Sequence, residues 1–373
     1  MPYIFELGPI RPPSEAYSIL IRVTRNCPWN KCAFCHTYKG QQFSRRPIQD
    51  VIADIDAIYT LSQRILDVAS NGITMHTLPN AKGTDDTPLY YYEQVAFWLQ
   101  YGMKSAFLQD ANSLVLSAKD LCTILNHIKN RFPTVERITS YARAATISKK
   151  SLDDLKAIRQ AGLTRLHIGM ESGSDTVLAL VNKGTTQQQL IDAGQKAVEA
   201  GFDVSYYYMP GLGGKEFMEE NAIQSALVIN TANPTFVRLR STVPIPGTPL
   251  YEMMKQGSWT PLSEVEKVQE IRLFIEHCDG ITSRLTSDHM MNLLEDVEGT
   301  FPYDKATMLA IIDEFLSMPQ EDQEKFIIGR RMGVYRYLAD YYPNFKIDQL
   351  YYSLLQQYES VDAAVNDILK NFI

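Results

Sequence analysis

The sequence is poor in several things, and each shortage excludes a class of protein. It has 5 cysteines in 373 residues, an odd number and three of them clustered, which argues against a disulfide framework and for a reducing compartment. No apolar run approaches the ~20 residues that a membrane-spanning helix needs. The opening MPYIFELGPIRPPSEAY lacks the basic-then-apolar pattern of a secretory signal, so a cytoplasmic location is expected. Basic excess is missing too: 36 Lys and Arg stand against 43 Asp and Glu, a formal charge of -7. That balance disfavours a large nucleic-acid footprint, although it leaves room for a local basic channel. No fixed-period repeat, low-complexity tract or second CxxC set is visible. The remainder, 45% hydrophobic and 21% charged, is the composition of a globular chain long enough for one large domain and a smaller one.

What is present is concentrated in residues 27–35, CPWNKCAFC, which place Cys27, Cys32 and Cys35 within nine residues. An iron–sulfur cluster and a structural zinc both take four ligands. A triad therefore leaves one position to another residue or to a bound molecule. His36 would complete a Cys3His zinc set, which makes a zinc-stabilised binding module one reading.

Along the chain, residues 17–24 form a short β-type run that leads straight into the cysteine loop. Residues 47–69 open on proline and carry apolar residues at helical spacing, which predicts a helix. Residues 71–90 are less regular and read as an insertion over one end of a sheet. Strand-like runs follow at 105–109, 137–142, 165–170, 203–209 and 236–241, separated by helical patterns. Ser151 with Asp154, and Thr186 with Gln189, mark helix starts, while Gly162 and Gly201 mark stops. Six β/α units imply a parallel sheet and an open or partial barrel. The expected domains are a lead at 1–16, a partial barrel at 17–250, and a helical C-terminal domain at 251–373 with helices at 263–277 and through most of 303–372.

Period-two alternation assigns faces. Leu166, Ile168 and Met170 are expected under the helices, with His167, Gly169 and Glu171 facing the lumen. Val237 and Leu239 likewise leave Arg238 and Arg240 pointing inward, where either an anionic group meets them or Glu171 or Asp110 pairs with them. The triple Tyr206, Tyr207 and Tyr208 projects to both faces, so at least one should reach the lumen. Residues 243–250 (VPIPGTPL) fit a post-barrel stretch or a plain linker. Asp288 and His289 could enter the site as acid or base, or His289 could be structural. Cys122 and Cys278 read as packed residues.

The triad on the loop after the first strand, with Phe34 before its last cysteine, and the GMESGSD element after the fourth strand resemble the radical S-adenosylmethionine (SAM) superfamily. Cys27 to Cys32 is CxxxxC, one residue longer than that family's common spacing. The resemblance implies a partial (β/α)6 TIM-like barrel, and a 4Fe-4S cluster on Cys27, Cys32 and Cys35 whose fourth iron is chelated by SAM. One electron then cleaves the sulfonium, and a 5'-deoxyadenosyl radical abstracts hydrogen from a substrate. It further implies SAM contacts from Asp110 and Asn112 to the ammonium, from Tyr141 and Arg143 to the carboxylate or substrate, from Glu171 and Ser172 to the ribose, and from the Pro210 region to adenine. An electron donor such as flavodoxin or ferredoxin is implied as well. The acidic balance and tyrosine-lined lumen favour a small molecule, peptide or tetrapyrrole over tRNA as substrate. A third reading keeps the cluster for electron transfer or sensing, without SAM.

Overall fold

The structure is a computed structural model and describes residues 2–69, 72–74 and 76–369. Residues 71 and 75 of the irregular stretch and 370–372 of the expected helical run lie outside the described residues.

Eight strands form one mainly parallel sheet in which sheet order follows chain order: β1 (Ile19–Arg22), β2 (Ser105–Gln109), β3 (Arg137–Ala142), β4 (Arg165–Glu171), β5 (Asp203–Tyr208), β6 (Phe236–Leu239), β7 (Arg284–Thr286) and β8 (Gly299–Thr300). The first six are each followed by helix, which is the expected β/α alternation. β7 and β8 are a correction, because they fall in 251–373, where helix alone was expected. At three and two residues they are too short for a period-two pattern to register.

The chain divides into two compact units, the first built from Met1–Asn30, Thr37–Gly169 and Lys196–Val204, the second from Lys31–His36, Met170–Gln195 and Ser205–Ile373. In the first unit β1 pairs with β2, β2 with β3 and β3 with β4, all parallel. The helix Ile48–Val68 starts behind Pro47 and buries Val51, Ile55, Ile58, Leu61 and Ile65, one apolar stripe at helical spacing. Ser117 and Ser151 cap the helices Ala118–Arg131 and Leu152–Ala161 by accepting the amides of Asp120 (3.1 Å) and Asp154 (3.0 Å). Gly162 closes the second of these at φ 123°, a conformation that side chains disfavour.

The N-terminal lead is a structural strap in this unit. Glu15 is buried and accepts from the Ser18 hydroxyl at 2.6 Å and the Arg137 guanidinium at 3.1 Å. Its other oxygen lies 3.9 Å from His167 Nε2, and His167 also bonds Ser14 at 3.3 Å. His167 is therefore sealed under the lead and not open to a lumen. Further along, Gln109 accepts the Gly8 amide at 2.8 Å and donates to the carbonyls of Gly8 and Ile10, both at 3.1 Å.

In the second unit β5 and β6 pair in parallel, as do β6 and β7, while β8 runs antiparallel to β7. Thr186 and Gln189 form the expected capping box: the Thr186 hydroxyl accepts the Gln189 amide at 3.3 Å and Gln189 Oε1 accepts the Thr186 amide at 3.2 Å. The helix Glu264–His277 begins with a second one, on Ser263 and Glu266. That helix turns three charged residues inward. Glu264 lies between Lys267 (2.9 Å) and Arg331, all three nearly buried, and the two cations hold its carboxyl down at about 2 despite the burial that opposes them.

A carboxyl lowered in the folded chain stabilises it fully above the ordinary value of 4.5, and this is lost as pH falls from there towards 2. Acid unfolding followed by far-UV circular dichroism should therefore set in below pH 4.5. Glu264→Gln should be less stable than the native chain at pH 7, and the gap should narrow as the pH approaches 2. A gap that stays constant with pH would contradict the assignment.

Candidate active site

The cysteine loop begins where β1 ends. Asp110, immediately after β2, is fully buried at φ 74°. Its Oδ2 accepts from Arg22 Nε at 2.8 Å and from the amide of Asn26 at 2.9 Å, and its Oδ1 accepts from the Tyr38 hydroxyl at 3.1 Å. Tyr38 is pushed far above its ordinary value by burial and by the Asp110 charge, so it stays a donor. Arg22 also bonds Glu6 at 3.0 Å, and Glu6 is shared with Arg25 (2.6 Å) and Arg46 (3.2 Å), the last paired with Asp54 at 2.6 Å. This network holds the residue just before Cys27.

Asn26 (φ 66°) and Asn30 (φ 50°) both take the left-handed conformation, which asparagine tolerates, and turn the chain around Cys27. The amide of Asn30 points at Cys27 Sγ at 3.4 Å, and the Asn30 side chain ties the loop to the carbonyls of Tyr38 (2.6 Å) and Gln41 (3.1 Å). Asn112 is buried; it donates to Thr146 Oγ1 at 2.8 Å and accepts the amide of Arg143 at 3.3 Å. Arg143 lies 5.1 Å over the Trp29 ring, a residue of the cysteine loop. The Tyr141 ring sits between Phe107 (5.3 Å) and His167 (5.8 Å).

In the second unit the CAFC segment is pinned at its centre. Ala33 donates its amide to Val181 at 2.8 Å and accepts from the Leu250 amide at 3.0 Å, and it packs with Val177, Val181, Met209, Leu212, Leu250 and Trp259. Phe34 packs against the same cluster, and Lys183 Nζ stands 5.7 Å from its ring. The amide of Cys35 bonds the Cys32 carbonyl at 3.4 Å. Lys183 pairs with Glu171 at 2.8 Å, and Glu171, at φ 65°, passes its carbonyl to the Met209 amide at 2.8 Å. Ser172 is buried and accepts the Ser174 amide at 3.0 Å, opening the turn into the helix Asp175–Leu180. The buried Pro210 passes its carbonyl to the Thr242 amide at 2.8 Å.

Cys27, Asp110, Asn112, Tyr141 and Arg143 thus belong to one connected constellation in the first unit. Phe34, Glu171 and Pro210 belong to another, with Cys32 and Cys35, in the second. The expectation that Asp110 and Asn112 are free to receive an ammonium is corrected, since both side chains are buried and engaged with the chain itself. Arg238 and Arg240 are corrected as well. Arg238 pairs with Asp288 at 3.0 Å, not with Glu171 or Asp110, and Arg240 is exposed. His36 is exposed. Cys278 is buried, its thiol pushed up to about 12 by that burial.

Sequence reasoning missed Glu270. It is fully buried and accepts from Tyr208 Oη (2.6 Å), the Gly211 amide (2.8 Å) and Asn221 Nδ2 (2.6 Å), which fixes the turn after β5. Burial pushes its carboxyl up to about 7, against the pull of those three donors. The signal was available: Lys267, Glu270 and Phe274 share a stripe with Val268, Ile271 and Ile275 on the buried face of one helix.

Cys27, Cys32 and Cys35 are free thiols and half-buried. Among the described residues no three His, Cys, Asp or Glu side chains form a preformed metal cage. The fit of a cluster therefore rests on donor chemistry: three soft sulfurs, one already receiving an amide N–H, on a loop whose two ends are anchored by hydrogen bonds. No helix of the described residues is long and apolar enough to cross a membrane.

A family model described as the Radical SAM superfamily matches residues 21–225, more than half of the chain. The tRNA uridine(34) acetyltransferase of Methanocaldococcus jannaschii is 22% identical over 286 residues, 72% of this chain and 50% of that protein. The protein of that name from Methanocaldococcus infernus is 27% identical over 169 residues, 45% of this chain and 29% of the other. The heme chaperone HemW of Bacillus subtilis is 24% identical over 160 residues, 42% of this chain and 41% of that protein. The chain spans half or less of the length of these relatives.

Proposed function

This chain belongs to the radical SAM superfamily, and on that premise we propose that it is an enzyme in which Cys27, Cys32 and Cys35 hold a 4Fe-4S cluster with SAM on the open iron, acting on a nucleoside carried by RNA. The observation that carries the reading is the free-thiol triad placed directly after β1, inside the matched span. Bound there, cluster and SAM supply a one-electron cleavage of the sulfonium and, through it, removal of a hydrogen atom from the substrate.

The chain's own residues position and shield. Asp110 and Arg22 hold the entry to the loop, Ala33 pins its second half, and Phe34, next to Cys35, packs on the apolar cluster around Ala33. Arg143 offers a guanidinium to the methionine carboxylate, the partly open Glu171 an acceptor to the ribose, and the turn at Pro210 a wall for adenine, while Tyr141 stands beside the substrate. Ser172 supports Glu171 through the turn that it caps. The electron comes from a donor of the flavodoxin or ferredoxin type.

The RNA substrate is supported by the likeness to the tRNA uridine(34) acetyltransferases. With a net charge of -7 the RNA footprint should be small. The test is release of 5'-deoxyadenosine by the reconstituted chain under reductant, with and without bulk tRNA. Stimulation by tRNA is expected. Release that ignores tRNA and rises with a tetrapyrrole would replace the substrate with the class that the name HemW suggests.

A further inference from the structure

Arg238 within β6, Arg240 just after it and His289 shortly after β7 form a polar corner in the second unit. Register pairs Tyr207 with Arg238 and Arg238 with Thr286, so these share one face of the sheet. The neighbouring Tyr206 and Tyr208 take the other face, with their hydroxyls bonded to the Leu190 carbonyl and to Glu270. Arg238 is 8% exposed; its Nη1 donates to Asp288 (3.0 Å) and Thr286 (3.4 Å), and among the described residues its buried Nε has no hydrogen-bond partner. A buried guanidinium N–H of this kind is able to donate to an acceptor.

Two residues on, Arg240 is exposed, and among the described residues no carboxylate lies within ion-pair distance of its side chain. Its charge acts on His289, whose Nδ1 accepts the Met291 amide at 3.2 Å, so the neutral ring carries its proton on Nε2. Asn292 locks this corner to the strand: Oδ1 accepts from the Ser241 amide (2.9 Å) and hydroxyl (3.0 Å), and Nδ2 donates to the Leu239 carbonyl (2.9 Å). Among the described residues the two guanidiniums are matched by one ion pair, that of Arg238 with Asp288.

We propose that Arg240, the Nε of Arg238 and the Nε2–H of His289 form an oxyanion subsite that receives a phosphate group of the substrate. Arg238 is held by Asp288 and Thr286 and His289 by the Met291 amide, and guanidinium is the group best matched to phosphate. Burial and the Arg240 charge keep His289 neutral, with its value down at about 4, so that it serves as a donor without adding a charge. The charged groups facing it are Arg240, Asp288 and Arg331. Taking the phosphate to be a nucleotide's rests on the function proposed above; the anion chemistry does not.

The test needs no cluster. The His289 imidazole is followed by nitrogen-15 NMR in the full chain while inorganic phosphate, uridine 5'-monophosphate or uridine is added. A bound phosphate is expected to raise the His289 value, since a neighbouring negative charge favours the protonated ring. The monophosphate should bind more tightly than uridine. Arg240→Met should weaken phosphate and monophosphate binding about 10- to 100-fold, with Arg240→Lys recovering part of the loss. An unmoved His289 signal, or equal binding by Arg240→Met and the native chain at matched thermal stability, overturns the proposal. Competition by a tRNA anticodon stem-loop against the monophosphate supports an RNA phosphate. Binding of free phosphates without such competition keeps the subsite and assigns it to a free nucleotide. If the native reconstituted chain makes no 5'-deoxyadenosine while His289 still responds to phosphate, the proposed function fails and the subsite stands.

Discussion

Asp110→Ala is expected to destabilise the chain by about 3–5 kcal/mol, the usual effect of removing one partner from a buried ion pair. The carboxylate is fully buried and satisfies Arg22, the Asn26 amide and Tyr38 together, and Arg22 itself is only 13% exposed. Without Asp110 the guanidinium keeps Glu6 but loses its more buried partner, and the left-handed turn at Asn26 loses the acceptor that holds it. Iron taken up on anaerobic reconstitution should fall with stability, because Asn26 directly precedes Cys27. Asp110→Asn keeps the shape but not the charge and should fall between the two. The comparison is Glu136→Gln, whose pair with Lys104 is exposed on both sides and whose loss should stay within ~0.5 kcal/mol. Urea unfolding measures both. An Asp110→Ala chain as stable as Glu136→Gln would show that the network does not hold the loop.

Glu270→Ala should be of similar size, about 3–5 kcal/mol, since it leaves a tyrosine hydroxyl, a backbone amide and an asparagine amide without their common acceptor at about 1–3 kcal/mol each, less than additively. The turn that these groups fix contains Met209, Pro210 and Gly211, so SAM affinity should fall along with stability. Its pH signature runs opposite to that of Glu264. A carboxyl raised in the folded chain to about 7 makes the native state bind the extra proton between 4.5 and 7, so this contribution to stability is greatest below that window and declines as pH rises through it. Glu270→Gln should abolish that decline. A native chain and a Glu270→Gln chain with parallel stability curves from pH 4.5 to 8 would contradict the assignment.

Local pattern made the six strands, the two capping motifs and the cysteine loop legible, because alternation, helix starts and cysteine spacing act over a few residues. What the sequence did not yield lay in long-range pairing. Asp110 was read as a ligand for a cofactor, yet its partners Arg22 and Asn26 lie 88 and 84 residues away. Period two set His167 apart from Leu166 and Ile168, but alternation does not say what covers a residue, and Glu15 and Ser14 cover this one. Arg238 and Arg240 were both expected to point inward, and only Arg238 is buried and paired. The partner of the first, Asp288, came from just after β7, a strand too short to foresee, and the second has no ion pair among the described residues. A net charge of -7 over the whole chain gives no sign of the exposed Arg240 at the end of β6.

The account depends most directly on one measurement, electron paramagnetic resonance of the anaerobically reconstituted and reduced chain with and without SAM. It predicts a reduced 4Fe-4S signal that shifts when SAM is added, and loss of that signal in Cys32→Ala. A colourless chain carrying one zinc, or a cluster signal that SAM leaves unmoved, would contradict it.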